Sequence, residues 1–141
     1  MELKKNQEIC LRIEDFTKDG EGLGKYQGFP LFIKDTVIGD QVRVSITKLK
    51  KNYGYARLVE IISPSPDRVE APCPVARQCG GCRIQQLSYE KQLEFKWKQV
   101  AGCLKHIGGF QDIETKMEPI YGMKNPWHYR DKAQFPIGLD K

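Results

Sequence analysis

Residues 8–16 place Ile9, Leu11 and Ile13 on one side of the chain and Glu8, Cys10, Arg12 and Glu14 on the other. A period of two sustained this long admits a half-buried strand and excludes a helix, whose apolar positions recur every three to four residues. The pattern returns at Val42, Val44 and Ile46, set against Arg43, Ser45 and Thr47. After the turn at Lys50, Lys51 and Asn52, the stretch from Tyr53 to Ile62 reads as the second arm of a basic hairpin. Residues 29–33 predict one more strand, and Pro30, with no N–H to give to a ladder, places it at a sheet edge. Between these lies a glycine-rich stretch, residues 19–28, with the composition of a nucleotide loop. Lys25 stands where G-x-G-x-x-G needs its third glycine and no G-K-[ST] follows, so the glycines read as suppliers of positive φ for a tight turn. Short strands joined by glycine turns within residues 1–62 predict a small closed barrel of the OB type.

Such a barrel acquires a partner through its surface. Between Gln41 and Val59 the chain carries Arg43, Lys48, Lys50, Lys51 and Arg57 with no acidic residue among them, and Tyr53 and Tyr55 are interleaved. Cations for phosphates beside aromatic rings for exposed bases are the two requirements of a single-strand or loop RNA site. The same residues also suit a solvated hairpin tip whose charge keeps the protein soluble. The net charge of +5 is too small to decide between them.

Residues 63–72 contain three prolines and no periodicity, which predicts a linker closing the first domain. Next come Cys73, Cys79 and Cys82, spaced C-x5-C-x2-C with Gly80-Gly81 between the last two. Short cysteine loops bring thiolates to one soft centre, so a metal ion or an iron–sulfur cluster is the leading reading, with a fourth ligand missing locally. Cys10 faces the polar side of its strand, and Cys103 reads as a buried apolar thiol on a helix. That helix follows Leu87, with Ser88 as its cap, a core stripe of Leu93, Trp97, Val100, Ala101, Leu104 and Ile107, and Gly108-Gly109 at its end. Lys91, Lys96, Lys98 and Lys105 fall on its exposed face, and His106 suits the negative end of the helix dipole. Residues 133–138 read as a strand entering a hairpin that the chain does not complete, which points to a truncated domain, and His128 has no acid, base or ligand near it. No apolar run reaches membrane-spanning length and the first residues lack a signal-peptide core, so a cytoplasmic monomer is expected. With five cysteines in a reducing compartment, metal binding is favoured over disulfides.

The order of these features resembles a known family. A glycine-turn barrel with Asp19-Gly20-Glu21-Gly22, then C-x5-C-G-G-C, then Gln85, Tyr89, Gln92 and Lys96, then Tyr129-Arg130-Asp131-Lys132, is similar to the N-terminal portion of bacterial RNA (uracil-5-)-methyltransferases acting on large-subunit ribosomal RNA. The resemblance implies an α+β chain: an RNA-binding TRAM barrel over residues 1–62, a linker over 63–72, and over 73–141 an iron–sulfur loop, one helix and the start of an α/β central domain. It implies that Cys73, Cys79 and Cys82 are three ligands of a 4Fe–4S cluster whose fourth ligand lies beyond Lys141. Tyr129, Arg130 and Lys132 fall on a central-domain motif usually written YRNK, from which Asp131 departs. S-adenosylmethionine and the catalytic cysteine belong to a C-terminal domain that these residues do not include, so this chain alone is expected to be inactive. The competing reading is a zinc-stabilised nucleic-acid-binding module without catalysis, its site completed by Cys103 or His106.

Overall fold

The computed structural model describes residues 3–134 and 137–139. Five strands, β1 (Glu8–Phe16), β2 (Gly22–Tyr26), β3 (Phe29–Ile33), β4 (Gln41–Leu49) and β5 (Gly54–Ser63), close in the order β1-β2-β3-β5-β4. All neighbours are antiparallel except β3 and β5, and β4 returns to β1 with Ile9 opposite Val44 and Leu11 opposite Val42. This is the predicted OB-type barrel. Inward residues of β1, β3, β4 and β5 meet in one core of Ile9, Leu11, Ile13, Leu31, Ile33, Val42, Val44, Ile46 and Ala56, against which Tyr26 of β2 packs.

Closure corrects two expectations. The strand β3 is not an edge: it pairs with β2 along its length and with β5 from Leu31 onward, and Pro30 sits just before that second ladder begins. The glycine stretch is also more than a turn. Gly20 and Gly28 do carry positive φ, 76° and 84°, at its two bends. Gly22 and Gly24, however, lie within β2 and face inward, where any side chain at position 24 would meet the Arg12 carbonyl oxygen at 2.7 Å. They permit a close approach of backbones inside a narrow barrel.

One end of the barrel is stoppered by a second apolar group, Phe16, Val37 and Leu87, with Phe95 standing edge-on to Phe16 at 5.4 Å between ring centres. Leu87 is fully buried although it lies outside the barrel sequence. It precedes the long helix α2 (Tyr89–His106), which is flanked by two one-turn helices, α1 (Ala76–Cys79) and α3 (Ile113–Lys116). Helix α2 stands at the predicted place, but its packing differs. Of the expected stripe only Ala101 is buried, while Val100 and Ile107 are exposed. The contact with the barrel runs through Phe95 on a different face. Cys103 is exposed rather than buried. Ser88 holds the N-cap position without a side-chain bond; Gln92 instead reaches back, its Nε2 donating to the carbonyls of Ile84 and Leu87 at 3.1 and 2.8 Å.

The proline-rich segment is strapped to the barrel. Asp40, wholly buried, accepts from Val37 N and Ser65 N, both at 2.9 Å, and from the Arg68 guanidinium at 2.7 and 3.2 Å. Arg68 also donates to the Asp35 carbonyl and to Gln86 Oε1. Arg68 and Leu87 form an antiparallel bridge, Val69 N donates to Gln86 O at 2.8 Å, and Ser88 N donates to Asp67 O. Residues 70–85, with all three loop cysteines, are therefore an excursion whose two ends are pinned together. After α3 no further strand forms among the described residues, in contrast to the strand expected over 133–138, of which Phe135 and Pro136 lie outside the described residues.

Candidate nucleic-acid interface and cysteine loop

Strand alternation sorts the hairpin residues. Leu31, Ile33, Gly54 and Ala56 point into the barrel, so Phe32, Tyr53 and Tyr55 point out. The parallel register sets Phe32 beside Tyr55, and Lys48 lies across from Tyr55 on β4. The result is an aromatic patch: ring centres of Phe32, Tyr53 and Tyr55 are 5.5 to 5.8 Å apart, at angles between 50° and 80°. Such tilted contacts leave ring faces and edges available at the surface. The Tyr55 phenol is held above its ordinary pKa, first by lost solvation and then by Tyr53 and the Glu21 carboxylate, so it stays a neutral hydrogen-bonding group. Lys48, Lys50, Lys51 and Arg57 surround the patch in exposed positions, with Lys50 N closing the hairpin turn on Tyr53 O at 2.8 Å. Arg43 differs from them, because it is bound to Glu60 and approaches Glu8 at 3.9 Å, its charge already met across both neighbouring strands.

A second concavity lies beyond the strap. Cys82, Gln85, Tyr89, Gln92, Lys96, Tyr129 and Arg130 all line one cavity of about 780 Å³. Tyr89, Gln92 and Lys96 follow one face of α2, with Gln85 in the turn before it, and the tail is laid over them by Met123 N donating to Tyr89 Oη at 2.8 Å and by Trp97 Nε1 donating to Glu118 O at 2.9 Å. Lys132 is exposed and does not line the cavity. Gln85 Oε1 is buried without a hydrogen-bond partner, for which the structure offers no account.

The three loop cysteines are on one segment but are not gathered. Cys73 is half-buried, Cys79 and Cys82 are exposed, and no set of three His, Cys, Asp or Glu residues capable of holding a metal ion occurs among the described residues. Cys103 and His106, at the far end of α2, therefore do not complete such a site. The local backbone suits a thiolate loop in one respect: Gly80 takes φ +67° with open space around it, and Gly81 lies against Cys79 Sγ. Arg77 of α1 is tied to Asp35 of the barrel at 3.1 Å.

Residues 2–59 match the family model of the TRAM domain. The barrel is a TRAM domain. Over 137 residues, 97% of its length, the chain is 52% identical to an uncharacterized RNA methyltransferase of Listeria monocytogenes serotype 4b, and over 136 residues it is 46% identical to an uncharacterized RNA methyltransferase of Bacillus cereus ATCC 10987. The chain spans about 30% of the length of these curated relatives. A solved tRNA (uracil-54, C5)-methyltransferase of Pyrococcus abyssi, in complex with S-adenosyl-L-homocysteine, is 30% identical, with a TM-score of 0.44, over 72% of this chain and 22% of that one.

The residue that sequence reasoning missed on the TRAM domain is Phe32. It reads as one apolar residue among several in β3, and only the parallel pairing with β5 brings it to the tyrosines. Its outward phase against Leu31 and Ile33 was the available signal. No helix among the described residues is long and apolar enough to cross a membrane.

Proposed function

We propose that this chain is the RNA-holding part of an S-adenosylmethionine-dependent methyltransferase that forms 5-methyluridine in large-subunit ribosomal RNA, acting as a monomer in the cytoplasm. The observation that carries the reading is the patch of Phe32, Tyr53 and Tyr55 on a TRAM domain, bordered by Lys48, Lys50, Lys51 and Arg57. Rings of this kind stack on unpaired bases, while the flexible lysines take phosphates as point charges. The similarity to proteins named RNA methyltransferases supports the reaction class. Uracil C5 and ribosomal RNA rest on the resemblance carried by the cysteine spacing and the Tyr129-Arg130-Asp131-Lys132 motif. The catalytic cysteine and the S-adenosylmethionine pocket are assigned to parts of a longer protein.

Within that reading Cys73, Cys79 and Cys82 are three ligands of a 4Fe–4S cluster. Their donor chemistry fits, and all three lie on one segment whose two ends are pinned together. When bound, the cluster supplies a soft cross-link that organises the loop. Replacing Lys48, Lys50 and Lys51 together by Ala tests the RNA assignment: affinity for single-stranded RNA falls, and the slope of log affinity against log salt flattens by about 0.7 for each phosphate no longer neutralised. An unchanged slope would return the hairpin to the role of a solvated tip. Anaerobic preparation of the longer protein gives visible-region absorption that vanishes in Cys79→Ser, whereas a colourless protein holding one zinc would refute the cluster.

A further inference from the structure

We propose that the cavity between the cysteine loop, the first half of α2 and residues 127–130 receives one unstacked nucleobase of the bound RNA strand, with Arg83 and Lys96 at its rim taking the adjoining phosphates. The partner class rests on the RNA-binding reading above, but the site uses none of the residues of the barrel face.

Its chemistry selects the ligand. At about 780 Å³ it has room for a nucleotide, and its aromatic wall is made by Tyr89, Trp127 and Tyr129. Trp127 is 40% and Tyr129 62% exposed among the described residues. Tyr89 Oη accepts from Met123 N and keeps its own hydrogen to donate to a base edge. Among the described residues no Asp or Glu lines the cavity, whereas Arg83, Lys96 and Arg130 do. An aromatic wall with cations and no carboxylate suits a ligand that is flat and anionic, and a nucleotide is both.

Continuity with the barrel makes that nucleotide part of a strand. Arg83, Ile84 and Lys96 also line a smaller hollow of about 350 Å³, whose other wall is Lys18, Asp19 and Gly20 from the turn between β1 and β2. Among the described residues Lys18, Arg83, Lys96 and Arg130 make no ion pair, and Asp19 is the one carboxylate lining the way. The cations thus form a trough from the TRAM domain to the cavity, a path a phosphate backbone can follow.

The test measures binding of a fluorescein-labelled oligouridine of about ten nucleotides, within the usual footprint of such folds. Tyr129→Ala removes a ring that makes no side-chain hydrogen bond among the described residues, so the fold is kept, and affinity is expected to fall by about five- to a hundredfold, the range for losing one stacked base. Lys96→Ala flattens the salt slope by about 0.7. Irradiation of the complex with 4-thiouridine in the oligonucleotide places cross-links on Tyr89, Trp127 or Tyr129. The proposal is overturned if the barrel variant lacking Lys48, Lys50 and Lys51 weakens binding while Tyr129→Ala and Lys96→Ala leave it unchanged. If none of the three weakens binding, the RNA-binding reading fails with it. Uridine 5′-monophosphate binding as tightly as the oligonucleotide would overturn the assignment to a strand.

Discussion

Replacing Asp40 by Ala should cost about 3–5 kcal/mol, the range for breaking a buried ion pair by removing one partner. Asp40 has no exposed surface and the Arg68 side chain only 18%. The substitution leaves the guanidinium without its counter-charge and strips the acceptor from Val37 N and Ser65 N, each a buried donor worth about 1–3 kcal/mol when unsatisfied. These contributions overlap, because water entering the vacated space recovers part of each, so the pair figure stands for the whole. Against a total stability of about 5–15 kcal/mol the loss is a large fraction, and about 3 kcal/mol corresponds to roughly 12–24 °C in Tm for a domain of this size. Urea unfolding followed by far-ultraviolet circular dichroism gives the value, with the slope m checked for constancy. Arg43→Ala is the internal control. It removes a guanidinium of the same chemistry whose side chain is 45% exposed beside Glu60 at 52%, and it should cost no more than about 1 kcal/mol. Equal costs for the two variants, or less than about 1 kcal/mol for Asp40→Ala, would refute the argument from burial.

Leu87→Ala opens a hole beneath Phe16 and Val37 and should destabilise by about 2–5 kcal/mol in the same assay, releasing α2 from the barrel. Gly24→Val should fail to give a folded barrel by circular dichroism, since the side chain meets the Arg12 carbonyl, whereas Gly28→Ala, with open space around it, costs only the strain of its φ of 84°. The Glu94 carboxyl, held at about 2 by its hydrogen bonds to Lys91 and then Lys98, should show that midpoint in a carbon-detected NMR titration. Because its folded value lies below the unfolded 4.5, its small contribution is present above pH 4.5 and fades as pH falls toward 2, and its exposure keeps any change in stability slight. Phe32→Ala should weaken binding of single-stranded RNA by about five- to a hundredfold while leaving the salt slope unchanged, since a ring carries no charge.

The barrel is legible in the sequence because its strands are built from short-range alternation, and the burial of β1 follows that alternation until its bulge between Ile13 and Asp15. What escapes is non-local. Pro30 suggests an edge because nothing in β3 announces a parallel partner arriving from β5. Residues 63–72 read as a free linker because composition cannot show that Asp40, 28 positions before Arg68, waits for a guanidinium. On α2 the richest apolar stripe reads as the packing face, yet the barrel accepts a single ring, Phe95, and that choice leaves Cys103 on the open side of the helix. For the candidate site, the basic hairpin and its tyrosines are readable one residue at a time. Phe32 and the cavity joining Gln85 to Tyr129 are not, since both depend on segments meeting across the fold.

The pinned base of residues 70–85 makes the cysteine segment replaceable in principle, at the loss of the Arg77 tie to Asp35 and of the Ile84 carbonyl that accepts from Gln92. Val69 and Gln86 already face each other as the last pair of a miniature ladder, so a two-residue Asn-Gly turn can join them directly. The shortened protein would keep Leu87 in its stopper and Arg68 on Asp40, and would lose every thiol except Cys10 and Cys103. The fold thereby provides a socket, in which one length of chemistry-bearing chain can be exchanged for another while the barrel remains as it is.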